Sequence, residues 1–316
     1  MAEAANVVCL AGGVGGAKLA DGLQAQVGAR LTVVVNTGDD LERHGLLVMP
    51  DHDTVMYTLA DLANRELGWG LEGETFAAAE MLARYGEETW FRLGDRDLAT
   101  HITRTARLRD GGRLTDVCRG LQSSLGLAAA ILPMTDHEVR TEVRVDEGWI
   151  DFQDYFVARH QEPEVRDVRF RGIDRASATR DVQDAIAAAG IVAIAPSNPI
   201  VSVGPILALP GIRAAIGQAR LHGARVVAVS GIVGGKALKG PADRMLASLG
   251  HEATALGVAR MYADLATDFV LDQVDAALAA PIQALGLRTH VTDTIMGDDA
   301  ARSRLAGEVL GLAGVG

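Results

Sequence analysis

The sequence predicts an α/β protein with a doubly wound, mostly parallel sheet, and three observations predict it. At least five short apolar runs read as buried strands, with segments of helical spacing between them. A glycine-rich turn follows the first of those runs directly, in the order strand, turn, helix. No low-complexity linker interrupts the rhythm, and 48% of the 316 residues are hydrophobic, enough for a sizeable core. The opening makes the expected sheet Rossmann-like. The expected organisation is an N-terminal α/β part over 1–133, a small insertion or edge hairpin region over 134–175, and a C-terminal α/β part over 176–316 completing the same sheet.

Taken in order, Asn6 to Leu10 reads as a strand, and Leu19 to Val27 shows helical spacing. Between them, Gly12, Gly13, Gly15 and Gly16 let the backbone approach a ligand, and a helix start offers free N–H groups to a phosphate. Lys18 stands where a dinucleotide fingerprint wants glycine, and the Walker spacing is absent, so neither standard fingerprint fits. A turn shaped only for packing is the ordinary alternative.

Leu31 to Val35 is the next strand, and the stretch Asn36 to Thr54 after it carries the most chemistry. Asp39, Asp40, Asp51 and Asp53 fall within fifteen positions. Such a loop repels an anion unless a cation lies between, which points to a divalent metal with a phosphorylated substrate on its other side. A solvated acidic loop is the competing reading. Residues 55–66 are expected as a helix capped by Asp53 or Thr54, with further helices at 74–85 and 98–108. Asp95 and Asp97 suit a helix start, whereas Arg96 works against the helix dipole and so is expected to have an anionic or ring-shaped partner. For His101 on that helix, packing or solvation is the ordinary reading.

A helix at 113–125 and a strand at 128–133 precede the alternating run 138–145, which turns at Asp146-Glu147-Gly148. The stretch 151–175 holds most of the central aromatics and an arginine cluster, facing either substrate or solvent. The α/β rhythm then resumes with helix 177–189, strand 191–194, the turn Pro196-Ser197-Asn198-Pro199, helix 212–220 and strand 225–229. Val233-Gly234-Gly235-Lys236 echoes Val14-Gly15-Gly16-Ala17-Lys18, so two glycine-lysine loops suit a ligand with two phosphates; a surface turn is the alternative. Helices at 242–249, 274–284 and 298–312 and a strand at 268–272 complete the chain.

Composition excludes several classes. A formal charge of −11 argues against nucleic-acid or anionic-membrane partners, and 4% aromatic residues against a single-strand stacking surface. Cys9 and Cys118 lack metal-ligand spacing and read as reduced core residues. No apolar run approaches the ~18 residues of a membrane span. The first residues lack the basic start of a signal peptide, so a soluble, cytoplasmic protein is expected.

The motifs together resemble one family, the CofD/FbiA transferases that build the deazaflavin coenzyme F-420. The resemblance is carried by Gly12 to Gly16, Val35 to Asp40, Pro50 to Leu59, Leu93 to His101, Phe152-Gln153-Asp154, and Pro196 to Pro199 with Ser202 and Gly204-Pro205. It implies an α/β dimer that takes a guanosine diphospho-linked three-carbon acid as donor. A hydroxyl of the deazaflavin FO attacks the phosphorus bearing the acid, and GMP leaves, with Mg²⁺ required. It also implies that Asp51, Asp53 and Arg96 lie at the deazaflavin and metal site. His52 stands where relatives often carry Leu, and Leu41-Glu42-Arg43-His44 where they often have an aromatic.

The residues agree with that chemistry, since phosphoryl-type transfer asks for positioning and charge neutralisation. Asp39, Asp40, Asp51 and Asp53 are the candidate Mg²⁺ ligands, with Asp40 or Asp53 as candidate base. Gly12, Gly13, Gly15, Gly16, Lys18, Asn36, Thr54, Arg96, Ser197, Asn198, Gly234 and Lys236 complete the candidate substrate contacts. Two other readings compete. A non-enzymatic nucleotide-sugar-binding regulator of the gluconeogenesis-factor type would share the fold and glycine loop. A nicotinamide-dependent oxidoreductase rests on the glycine turn alone and leaves the further aspartates without a role.

Overall fold

The computed structural model describes residues 5–312, and the chain ends outside that range are left aside. Seven parallel strands form the central sheet. From one edge to the other they run Arg288–Thr292, Asp268–Asp272, Arg225–Val229, Ala189–Ile194, Asn6–Ala11, Leu31–Val35 and Ala130–Pro133. Strand order reverses between Asn6–Ala11 and Ala189–Ile194. The loops leaving their carboxyl ends therefore part to opposite sides and open a crevice between them.

Period-two side-chain alternation divides the core into two layers. Val8 and Leu10 pack on one face, whereas Val7, Cys9 and Ala11 pack on the other. Helices Gly13–Val27, Pro50–Leu59 and Asp299–Gly311 cover the second face. A three-stranded antiparallel sheet, Arg140–Val145, Gly148–Asp151 and Asp167–Arg171, joins the first layer through Val143, Val145 and Val168. Cys9 and Cys118 are buried and unpaired, and burial pushes the Cys9 thiol up to about 12. Among the described residues no helix is long and apolar enough to cross a membrane.

Several boundaries differ from expectation. The helix expected to open after Thr54 begins at Pro50, so neither Asp53 nor Thr54 is its cap. Proline fits the first helical position because its fixed φ is already helical and its missing N–H has no partner there. This helix stops at Leu59 rather than 66, and Asp61 takes a left-handed φ of 54° beyond it. The edge strand Arg288–Thr292, the hairpin Leu41–Arg43 with Leu46–Val48, and the helices Val203–Ala208 and Ala255–Tyr262 were not anticipated. Their apolar runs are short, and some sit at exposed edges where alternation is weak.

Candidate active site

A cleft of about 670 Å³ opens along the crevice. The glycine turn forms its floor. Ser197 Oγ accepts from the Gly12 N–H at 3.2 Å and donates to the Gly12 carbonyl at 2.7 Å, which locks this turn to the loop after Ile194. A Cβ on Gly15 would fall 2.3 Å from the Pro196 carbonyl oxygen, and one on Gly16 2.7 Å from Ser197 Oγ. Close packing of two loops thus accounts for these two glycines. A Cβ on Gly12 would fall 2.5 Å from an Asp51 oxygen, so that glycine makes room for a carboxylate.

Asp51 and Asp53 both lie in the first turn of helix Pro50–Leu59, two residues apart. At 100° per residue they point to different sides, and the acidic cluster divides accordingly. Asp51 accepts from the Gly13 N–H at 2.7 Å and from Asn36 Nδ2 at 3.0 Å. Asp39 lies beside it, and Gln153 Nε2 donates to the Asp39 carbonyl at 3.2 Å. Burial first, then the Asp51 charge, pushes the Asp39 carboxyl well above the usual range. Burial likewise raises Asp51 to about 6, against the hydrogen bonds from Asn36 and Gly13. Among the described residues, Asp39 Oδ1 is buried without a hydrogen-bond partner. These two carboxylates face the cleft as a repelling pair.

Asp53 sits in a different environment. Its carboxylate is paired with the fully buried Arg104 guanidinium, and His101 Nδ1 lies 3.6 Å away. Burial opposes ionisation of Asp53, yet Arg104, the His52 hydrogen bond and His101 hold it well below the usual carboxylate range. Asp97 receives the Tyr57 hydroxyl at 2.7 Å, and its other oxygen lies 3.1 Å from His101 Nε2. Donor atoms of Asp53, Asp97 and His101 all lie within 4.8 Å of one another, so this group too could hold a metal ion. His52 is buried behind Asp53, outside the cleft lining.

Of the residues singled out from sequence, Gly12, Gly13, Gly15, Asp39, Asp51, Asp53, Thr54, Ser197 and Asn198 line the cleft. Asn36 stands behind Asp51 and holds it. Several others are turned elsewhere. Asp40 is buried off the lining, where desolvation raises its carboxyl well above the usual range. Gly16 packs against Ser197 and Ala11. Lys18 donates to the Met296 carbonyl at 2.9 Å, because its helix packs on the C-terminal helix side. Exposed Arg96 donates its guanidinium N–H to the Glu72 carbonyl instead of the expected anionic or ring-shaped partner, and the Glu74 carboxylate accepts from the Arg96 and Asp97 backbone N–H groups. Gly234 donates its N–H to Asp275, and exposed Lys236 lies 3.6 Å from Asp243, so this second glycine loop is a hairpin turn outside the lining.

Residues that sequence reasoning passed over take those places. Lys239 and Arg92 are the lysine and arginine that line the cleft. Lys239 Nζ reaches the Leu67 carbonyl at 3.4 Å, across a Gly68 where a Cβ would fall 2.2 Å from the ammonium. Arg104 had a legible signal: Asp97, His101 and Arg104 share one face of their helix, an unusual place for three polar residues. The aromatic residues are also unevenly placed. The chain has six Phe, four Tyr and three Trp, and Tyr57, Trp69, Trp90, Phe91, Phe152 and Phe156 converge on this one cleft. Phe152 and Phe156 stack at 5.5 Å and arrive from the segment between strands Gly148–Asp151 and Asp167–Arg171.

Residues 7–295 match the profile of the family described as 2-phospho-L-lactate transferase CofD. The chain belongs to the CofD family. It is 40% identical to a 2-phospho-L-lactate transferase of Methanosarcina mazei, over 95% of this chain and 98% of that one. A phosphoenolpyruvate transferase of Streptomyces griseus is 43% identical over 98% of both chains. In fold, this CofD-family chain resembles a crystal structure of a UPF0052 family member from Bacillus halodurans. That likeness has a TM-score of 0.65 at 15% identity, covering 98% of this chain and 100% of the other. At such identity it speaks for the α/β fold alone.

Proposed function

We propose that this CofD-family chain moves a phospho-three-carbon-acid group from a guanosine diphospho-linked donor to the deazaflavin FO, releasing GMP. One observation carries the reading. A cleft walled by six aromatic side chains also holds a buried, repelling carboxylate pair beside a helix start. Aromatic faces suit a planar ring, and the carboxylate pair with the helix start suits a cation bridged to phosphate. The names of similar proteins divide between lactyl and enolpyruvyl acids at comparable identity, so the reading stays at the level of a phospho-three-carbon acid.

In this reading Asp39 and Asp51 would hold Mg²⁺. Among the described residues no buried arginine balances that pair as Arg104 balances Asp53, and hard oxygen donors suit the ion. When bound, Mg²⁺ supplies charge neutralisation between these carboxylates and the donor's pyrophosphate. The protein's own part is positioning. Asn36 and the Gly13 N–H orient Asp51, and Ser197 fixes the turn that carries Gly13. The N–H groups of Val14 and Gly15 at the helix start, with the Lys239 ammonium, meet phosphate charge. The aromatic wall presents the FO hydroxyl for in-line attack. A new P–O bond forms to that hydroxyl oxygen, the P–O bond to GMP breaks, and the hydroxyl proton is released to solvent. Asp53, held ionised by Arg104, is a weak proton acceptor at neutral pH and serves to fix Arg104 and His101. Membership of the family also supports a homodimer, which light scattering tests.

Mixing the protein with FO, Mg²⁺ and, separately, the lactyl, enolpyruvyl and glyceryl guanosine diphospho-donors tests the reaction by mass spectrometry. A mass gain on FO with one equivalent of GMP is expected for at least one donor. FO returned unchanged with all three contradicts the proposal.

A further inference from the structure

The geometry points to Arg43 as a positioning residue that holds the Trp90 indole in place as one face of the ring-binding wall. This inference rests on the reading that the acceptor is a planar deazaflavin.

Trp90 belongs to a stretch, 88–93, that forms no helix or strand, yet Trp90, Phe91 and Arg92 from it all line the cleft. An irregular segment cannot hold an indole plane by its own backbone ladder, so the order must come from outside. Arg43 supplies it. Its guanidinium lies over the Trp90 ring, 4.8 Å from the centroid. It also donates to the Glu88 carbonyl and lies 3.5 Å from the Glu88 carboxylate. That carboxylate in turn accepts from Trp90 Nε1 at 3.2 Å. Arg43, Glu88 and Trp90 thus close a ring of contacts. Phe91 meets Trp90 edge-on at 5.8 Å, which extends the wall.

Arg43 is itself on a rigid support. It ends the strand Leu41–Arg43, and His44 and Gly45 both take positive φ, 50° and 73°, as a two-residue hairpin turn requires. Three bonds tie the hairpin to helix Asp95–Arg109: Leu47 N–H to Thr105 Oγ1, Arg104 to the Leu47 carbonyl, and Arg109 to the Gly45 carbonyl. The Arg43 side chain is 15% exposed, although the hairpin is at the surface. An arginine so covered, stacked on a ring that faces the cleft, does more than solvate the surface.

The test replaces Trp69 and Trp149 by Phe, so that Trp90 alone reports fluorescence, and introduces Arg43→Ala, Arg43→Lys or, separately, Glu88→Ala. The Glu88 side chain is 76% exposed, which makes that variant safe for folding. Without ligand, acrylamide should quench Trp90 more strongly in Arg43→Ala and Glu88→Ala than in the parent. FO affinity, read from Trp90 quenching, should fall about tenfold in Arg43→Ala, the size of one lost stacking face. In the enzyme with all three tryptophans, KM for FO should rise in step while kcat stays within about twofold, and Arg43→Lys should recover part of the loss. Unchanged acrylamide quenching overturns the clamp. Quenching that rises while FO affinity holds overturns its role in the wall. Failure of the protein with all three tryptophans to bind FO overturns the functional reading instead, and the ligand-free quenching still decides whether Arg43 orders Trp90.

Discussion

Asp51 and Asp53 are two residues apart and do different work, because a helix turns them to different neighbours. Asp51→Asn keeps one of the two accepted hydrogen bonds, since an amide offers a single acceptor oxygen, and it removes both the repulsion with Asp39 and the charge a cation needs. We expect turnover to fall at least 100-fold with the melting temperature unchanged or raised, measured by steady-state kinetics and calorimetry. Asp53→Asn strands Arg104 in the core without a counter-charge. That should cost about 3–5 kcal/mol of stability, visible in a urea titration. Equal stability of the two variants would contradict the division of the cluster. Lys239→Ala should weaken donor binding selectively, whereas Lys236→Ala, at an exposed position against Asp243, should leave it near normal; calorimetric titration of each variant reads this. Sequence made the acidic cluster legible, but not the partner of each carboxylate. Arg104 is 51 positions from Asp53, and no local spacing announces such a pair.

The strand-turn-helix opening was legible because Asn6–Ala11 and Leu31–Val35 are continuous apolar runs bounded by glycine or polar turns. The function of each glycine was not. Whether a missing side chain makes room for a ligand, a carboxylate or a neighbouring loop depends on what the fold brings opposite, here the Pro196 carbonyl for Gly15 and Asp51 for Gly12. Gly15→Ala should therefore push the two crevice loops apart and cost about 1–3 kcal/mol. Thermal melting with and without donor would check it; a silent substitution would mean that the loops are not in close packing. The echo at Val233–Lys236 shows the converse. Its residues repeat a motif, but its position after Arg225–Val229, one strand removed from the crevice, gives it a hairpin instead.

Across the molecule, an excess of acid is concentrated where it is least solvated. Asp51 is raised to about 6 and Asp39 well above its ordinary range, so the folded state binds more protons than the unfolded one between about pH 4 and 6. Stability of the metal-free protein should consequently fall as pH rises through that window. Added Mg²⁺ should restore it at pH 7 and do little at pH 5, where the protonated pair cannot bind a cation. Melting curves with EDTA and with Mg²⁺ at the two pH values read both effects. In the proposed function the cation belongs to Asp39 and Asp51 beside the glycine turn, with Asp53 reserved for Arg104. Anomalous diffraction from crystals soaked in Mn²⁺ tests it most directly. The manganese peak should lie within coordination distance of the Asp39 and Asp51 carboxylates. A peak among Asp53, Asp97 and His101, with Arg104 displaced, would contradict it.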